Sequence, residues 1–278
     1  MRKIKIVADS SANTHTRPHV PFASAALKII TNDREYVDDA NLDVSGMIAD
    51  FESYKGKSKT SCPNPQDWLD AFADAQEVFC VTITSGLSGS YNSACVAKEM
   101  YEAENDGAKV FVIDSLSAGP ELLLIIEKLE QLIEQELPFE EICLQIKEYQ
   151  KTIGLEFMLQ SLKNLAANGR VNPAVAKIVT LLGIRIVGKA SDQGTLENTD
   201  KCRGQARSLT AVVKNMENAG LRTGKVIIAH CENEPAAREL EQLLAQKLPQ
   251  VQVQIMPCTG LCSFYAERGG LMIGFEKF

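Results

Sequence analysis

Short apolar runs of strand length alternate with helix-length segments along almost the whole chain. That alternation restricts the fold to an α/β class built largely on parallel sheet. Strand signals fall at 3–8, 26–30, 77–84, 109–114, 154–159, 184–190, 195–199, 225–231, 251–256 and 270–275. Helical signals fall at 65–75, 90–104, 120–136, 140–151, 161–167, 173–182, 203–219 and 235–248. Several of these helices open on a proline, which suits the first helical turn because its missing N–H would be unpaired there anyway. The long helical block at 120–151 divides the chain. Residues 1–155 are expected to form an N-terminal three-layer α/β/α domain on a parallel sheet, and residues 156–278 a C-terminal α/β domain. Ser191-Asp192-Gln193-Gly194 between two β runs is a hairpin signal, so the second domain is expected to carry a mixed sheet. Ligands of such folds favour the carboxyl ends of parallel strands and the cleft between domains.

The 278 residues are 45% hydrophobic, enough for a packed core. The formal charge of −7 argues against nucleic acid as a partner and against docking on anionic lipid by charge alone. A transient membrane contact stays compatible with it. Met1 to Asp9 reads as a strand, not as a signal peptide, because the apolar run is short and an acid follows it. No segment approaches a membrane span. A cytoplasmic protein is expected. The eight cysteines show no CxxC pair, so no zinc site is expected, and reduced thiols are the default.

The most specific stretch is Val81 to Ala94. It reads as a buried strand ending in a hydroxyl-rich, glycine-broken turn, Ser85-Gly86-Leu87-Ser88-Gly89-Ser90, that feeds a helix. Free N–H groups at a helix start attract an anion, and the hydroxyls add donors, so a carboxylate or phosphate fits there. Ser88 or Ser90 is expected to cap that helix. A second hydroxyl cluster, Thr60-Ser61-Cys62 before Pro63 and Pro65, is expected to be a loop that also feeds a helix start. Asp9-Ser10-Ser11 and Asp114-Ser115 follow strand ends in the same manner and suggest one shared pocket edge.

The central turn is neither a P-loop, since no lysine follows Gly89, nor a hydrolase elbow, since Ser90 stands where the last glycine of GxSxG belongs. A serine nucleophile needs a base, and His15, His19 and His230 are the three histidines available. His15 and His19 flank Arg17-Pro18 and are expected to be solvated. His230 ends a strand, where a hydrogen-bonded structural role competes with that of a base. A hydrolase or acyltransferase on Ser88 and His230, and a small-anion sensor, are two readings of these residues. Gly169 reads as a helix C-cap, and Arg170 behind it either faces solvent or offers a fixed guanidinium at the domain junction.

Taken together, Val7-Ala8-Asp9-Ser10-Ser11, Lys59-Thr60-Ser61-Cys62-Pro63, Ile83 to Ala94, Val112-Ile113-Asp114-Ser115, Leu162 to Val171 and Ile228-Ala229-His230 resemble the DegV family of fatty-acid-binding proteins over essentially the whole chain. The resemblance implies a two-domain α/β protein holding one long-chain fatty acid in an apolar tunnel at the domain junction. It implies no cofactor, no metal and no catalysis by this chain alone. Members of the FakB type present the acid to a separate ATP-dependent kinase, which makes an acyl phosphate for phospholipid synthesis. Carried over by position, Thr60, Ser61, Ser85, Gly86 and Ser88 would surround the carboxylate, and Arg170 would serve the headgroup or the kinase-docking surface. Tyr265 would join them at the carboxylate; it falls roughly where the family often has a histidine followed by Gly-Pro-Gly, a tripeptide absent here. Cys62 stands where a glutamine-like residue is common.

Overall fold

The computed structural model describes residues 3–278, with Ile178 and Thr180 described by their backbone alone, so the predicted start at Met1 and Arg2 lies outside the described residues. In chain order the strands are β1 (Ile4–Asp9), β2 (Phe22–Ala25), β3 (Lys28–Ile30), β4 (Glu35–Val37), β5 (Lys59–Ser61), β6 (Glu77–Thr82), β7 (Lys109–Asp114), β8 (Ile153–Leu159), β9 (Arg185–Ala190), β10 (Leu196–Cys202), β11 (Gly224–His230), β12 (Val251–Pro257) and β13 (Leu271–Glu276). The α-helices are α1 (Val44–Ser53), α2 (Pro65–Phe72), α3 (Ser90–Glu104), α4 (Pro120–Glu134), α5 (Phe139–Gln150), α6 (Lys163–Ala167), α7 (Pro173–Leu182), α8 (Gln205–Ala219), α9 (Glu234–Lys247) and α10 (Gly260–Ala266).

The protein is a two-domain α/β fold, with three sheets among the described residues. A four-stranded sheet in the order β2-β1-β6-β7 is parallel throughout. Its central strands are apolar without interruption because both faces are covered. On one face Val7, Val78 and Cys80 pack against Trp68 and Phe72 of α2 and Ala94 and Ala97 of α3. On the other, Ile6, Phe79 and Val81 pack against the leucines and isoleucines of α4. A six-stranded mixed sheet runs β10-β9-β8-β13-β11-β12, parallel only between β11 and β12. The β9–β10 pair is the antiparallel hairpin that the Ser191–Gly194 turn announced. A small antiparallel sheet, β4-β3-β5, lies beside them.

Two strands of that small sheet, β4 and β5, and the helices α1 and α10 have no counterpart among the sequence signals. Three-residue strands carry no readable period. The Thr60 segment, expected as a loop, is instead an edge strand paired to β3, with Thr60 opposite Ile29.

Helix α4 fixes how the two large sheets sit, because it packs against strands of both. Its apolar residues therefore run nearly all the way round, and ten of its fifteen positions are buried. Gly274 makes the closest approach: a Cβ there would stand 2.7 Å from the Glu121 backbone nitrogen and from the Pro120 carbonyl carbon. The approach carries Glu121 into the interior, where burial raises its carboxyl to a pKa of about 7. Glu156, on the α8 side of β8, is only 2% exposed, and burial raises it to about 8.

Both carboxyls therefore hold a proton in the folded chain that the unfolded chain releases near pH 4 to 5. Stability contributed by that proton is fully present below the unfolded pKa and is lost as pH rises through the folded one. Unfolding in urea from pH 5 to pH 9 should show a fall in stability across this window. E156Q should flatten it, because every tenfold difference in proton affinity between the folded and unfolded chain corresponds to about 1.4 kcal/mol. Equal slopes in the two proteins would show that Glu156 is ionised in the fold.

Candidate functional site

Between the mixed sheet, α10 and the loops of the parallel sheet lies a partly open apolar cavity with about 720 Å³ of space outside the atoms, some of it continuous with solvent. One wall is β8, whose Leu155, Phe157 and Leu159 all face the cavity because strand side chains alternate. Met272 of β13, paired with Phe157, extends that wall. Leu261 and Cys262 of α10 cover it from the other side.

The polar side chains of the lining are Thr60, Ser88, Arg170 and Tyr265. The Thr60 and Tyr265 hydroxyls are hydrogen-bonded at 2.7 Å, joining β5 to α10 across 205 residues of sequence. Burial raises the Tyr265 phenol above its ordinary range, against the smaller opposing effects of the Thr60 bond and the Arg170 charge. It therefore stays protonated and able to donate. Of the pair, one hydroxyl donates to the other, which leaves one proton to offer a ligand.

Two buried carboxylates place these groups. Asp38 accepts the backbone N–H groups of Gly260 at 2.7 Å and Leu261 at 2.9 Å, so it seats the start of α10 and, one turn further on, Tyr265. Asp9, fully buried, accepts the Ile83 N–H at 2.8 Å and the Ser90 hydroxyl at 2.6 Å, besides the Ser11 N–H at 3.2 Å and the Ser11 hydroxyl. It ties both ends of the Ile83–Ser90 turn to the end of β1 and thereby sets where Ser88 stands. Burial raises both carboxyls, and the donors around them pull the other way. Arg170 follows Gly169, whose φ of +73° ends α6 as a C-cap glycine does. Its guanidinium donates to the Leu87 carbonyl at 3.2 Å and to the Asn168 carbonyl, locking the two turns together.

The structure thus gathers Thr60, Ser88, Arg170 and Tyr265 at one cavity and leaves Ser61, Ser85 and Gly86 off its lining. The Ser61 hydroxyl donates to the Cys62 carbonyl and faces solvent, as alternation along β5 requires when Thr60 points inward. Ser85 is exposed, and its N–H donates to Asp114 at 3.1 Å. Gly86 abuts the β9–β10 turn, where a Cβ would stand 2.9 Å from the Gly194 carbonyl oxygen. Asp9 and Asp114, expected at a pocket edge, lie beneath the turn as its supports. The α3 cap is Gly89 without a side-chain bond, because Ser90 turns to Asp9; the Ser88 hydroxyl accepts the Ser90 N–H at 3.3 Å. His15, expected to be solvated, is largely covered and lies 4.0 Å from Asp38. His230 accepts the Asn233 N–H at its Nδ1 and lines a different cavity from Ser88, so the structure does not pair the two. Sequence reasoning missed Asp38, Leu261 and Cys262; a lone Asp after a three-residue strand carries no local signal for capping a helix 222 residues away.

A family model described as "Uncharacterised protein, DegV family" matches residues 3–277. The chain belongs to the DegV family. A DegV domain-containing protein of Streptococcus pneumoniae strain R6 is 43% identical over 276 residues, 98% of each chain. Among solved structures, a DegV family protein from Eubacterium eligens loaded with heptadecanoic acid matches with a TM-score of 0.97 and 42% identity, over 99% of this chain and 100% of that one. The Streptococcus pneumoniae fatty acid kinase B3 protein loaded with linoleic acid matches with a TM-score of 0.97 and 42% identity, over 100% of both chains.

In this DegV fold the site depends on Asp9 more than on any lining residue. D9A would orphan the buried Ile83 N–H and Ser90 hydroxyl, at about 1–3 kcal/mol for each donor left unpaired. We expect urea unfolding to show a loss of roughly 3 kcal/mol or more for D9A, by the same reasoning. A loss below about 1 kcal/mol would show that water replaces the carboxylate without penalty.

Proposed function

We propose that this protein binds one long-chain fatty acid, with the alkyl chain in the apolar cavity and the carboxylate at Thr60, Ser88 and Tyr265. We further propose that it presents the acid to a separate ATP-dependent kinase and performs no catalysis alone. The observation that carries the reading is the lining: four polar side chains, with Thr60 bonded to Tyr265 and Tyr265 in the field of Arg170, in a cavity otherwise almost wholly aliphatic or aromatic. The fatty acids bound by the Eubacterium eligens and Streptococcus pneumoniae relatives support it.

The energetics suit such a ligand. Each buried methylene contributes about 0.8 kcal/mol, so a long chain supplies on the order of 10 kcal/mol before ordering costs. A carboxylate loses several kcal/mol of hydration on entering, unless donors replace the water. The Thr60–Tyr265 pair has one proton to offer and the Ser88 hydroxyl another, and both donors are neutral. They stabilise the anion and leave its oxygen electron-rich. In the proposed transfer that oxygen attacks the γ-phosphorus of ATP, the bond to ADP breaks, and an acyl phosphate forms. The nucleotide, its metal and the charged groups that stabilise the transition state would come with the kinase. In this reading Arg170, bonded to the Leu87 carbonyl at the turn carrying Ser88, would serve the headgroup or the docked kinase. No described helix is long and apolar enough to cross a membrane.

Native mass spectrometry of the purified chain should show a co-purified acid or uptake of added palmitate or oleate. If neither is seen and inorganic phosphate stabilises the protein more than either acid does, the site is that of a small-anion sensor. T60V combined with S88A should weaken fatty-acid binding by roughly tenfold or more, the Ser88 hydrogen bond to a charged group being lost and the Tyr265 phenol no longer aimed by Thr60. An unchanged affinity would place the headgroup elsewhere. R170A should lower kinase-dependent acyl phosphate formation more than it lowers binding; equal losses would make Arg170 a support of the turn and nothing more.

A further inference from the structure

We infer that Met272 sets the length and shape of acyl chain this protein accepts, by acting as the movable partition between the apolar cavity and a second cavity behind it; the inference rests on the fatty-acid reading above. The sheet register shows the partition. Phe157 pairs with Met272, Met272 with Ala229, and Ala229 with Met256, so the four form one row across β8, β13, β11 and β12 on one face. Phe157 and Met272 line the apolar cavity. Met256 lines the second cavity, which opens partly to solvent and also carries polar side chains, among them His15, Asp39, His230 and Glu232. Between them stands Ala229, too short to make a wall, roofed by Cys258 and Cys262. Cys262 faces the first cavity and Cys258 the second. Ala229, Cys258, Cys262, Met256 and Met272 form one contact cluster, and all but Ala229 carry sulfur.

The other end of the tube is rigid. Beyond Leu155 the sheet is closed by the first turn of α4, whose Pro120 carbonyl carbon would stand 2.7 Å from a Cβ on Gly274, the partner of Leu155. Backbone held that closely does not yield. Leu155, Phe157 and Leu159 are fixed by strand alternation and packing. Met272 differs. It has three rotatable bonds and a polarisable thioether, the features that let methionine refill irregular space. Its end is lodged in the gap left by the missing side chain of Gly119: a Cβ there would lie 2.8 Å from Met272 Cε and 3.3 Å from Sδ. Gly119 has a φ of +62°, so a side chain there would also be strained. A straight chain of moderate length ends against Leu155 and α4. A longer chain, or one bent by cis double bonds, must displace the Met272 thioether and turn along the row over Ala229 towards Met256. The accepted class therefore extends to long, kinked acyl chains, and Met272 decides how far.

The test uses the delipidated full-length protein and a series of saturated and cis-unsaturated fatty acids from C12 to C22, competed against a fluorescent fatty acid. In the wild type each added methylene should raise affinity about fourfold up to a limiting length. M272A should move that limit by two or more carbons and raise the C20–C22 affinity relative to C16 by roughly tenfold, two further methylenes becoming buried. M272F should shift the limit the other way, and M272L, close in volume, should leave the profile in place. M272V gives the direction of M272A with a smaller cavity, and carries the test if M272A does not fold. Identical length profiles in wild type, M272F and either truncation would overturn the inference while leaving fatty-acid binding intact. A wild type that binds no acid of any length would instead overturn the reading on which it rests.

Discussion

The buried carboxylate of Asp9 is the constraint on which the site depends. An ionised group with no exposure is costly, and Asp9 is tolerable only because it accepts hydrogen bonds from Ser11, Ile83 and Ser90. Those donors come from two parallel strands' ends and the start of α3, so satisfying one carboxylate fixes three backbone segments at once. Asp38 repeats the device on the opposite wall, where it seats α10. Neither carboxylate lines the cavity. Charge in this site is spent on holding turns in place, and the groups offered to the cavity are hydroxyls. This division suits an anionic ligand, since a negative side chain in the lining would repel it, while one placed beneath spends its field on its own donors.

The same logic bears on Tyr265. Histidine at that position would change its charge with pH near neutrality. A phenol held protonated by burial does not, and its bond to Thr60 keeps it aimed at the polar end of the cavity. Loss of the Gly-Pro-Gly that often follows the histidine has a structural counterpart: α10 ends at Ala266, and the chain returns through Gly269 and Gly270 to β13, with the Gly270 carbonyl bonded to Cys231 N–H at 3.0 Å.

Much of this was legible in the sequence, and what was not has definite causes. The large parallel and mixed sheets announce themselves because strands covered on both faces must be continuously apolar, as Val78-Phe79-Cys80-Val81 is, and the glycine-hydroxyl turn after them is unusual in composition. Thr60 and Ser88 could be singled out for the same reason. Ser61, Ser85 and Gly86 were grouped with them because sequence proximity does not tell which way a side chain points. Strand alternation turns Ser61 out, and the β9–β10 hairpin occupies the space beside Gly86. Helix α10 escaped notice because seven residues between a proline and two glycines give no usable period. Asp38 escaped because its partners lie in the other half of the chain.

That last failure points to how the site is organised. Each of its parts is shared between the halves of the sequence. Thr60 meets Tyr265, Leu87 receives Arg170, Asp38 seats Gly260, and Thr84 donates to the Gly194 carbonyl at 2.9 Å in the hairpin turn. None of these contacts exists within either half alone. A carboxylate that binds Thr60, Ser88 and Tyr265 together therefore draws on groups whose relative placement is set by the packing of the two sheets about α4. Its binding energy must stabilise that packing in the same measure, because ligand affinity for the assembled state and stability of that state are linked. An apolar tail in the cavity would act in the same direction, since the walls too come from β8 and β13 on one side and from Ile83 and Leu27 on the other. A ligand that fills such a cavity would complete the junction that recognises it.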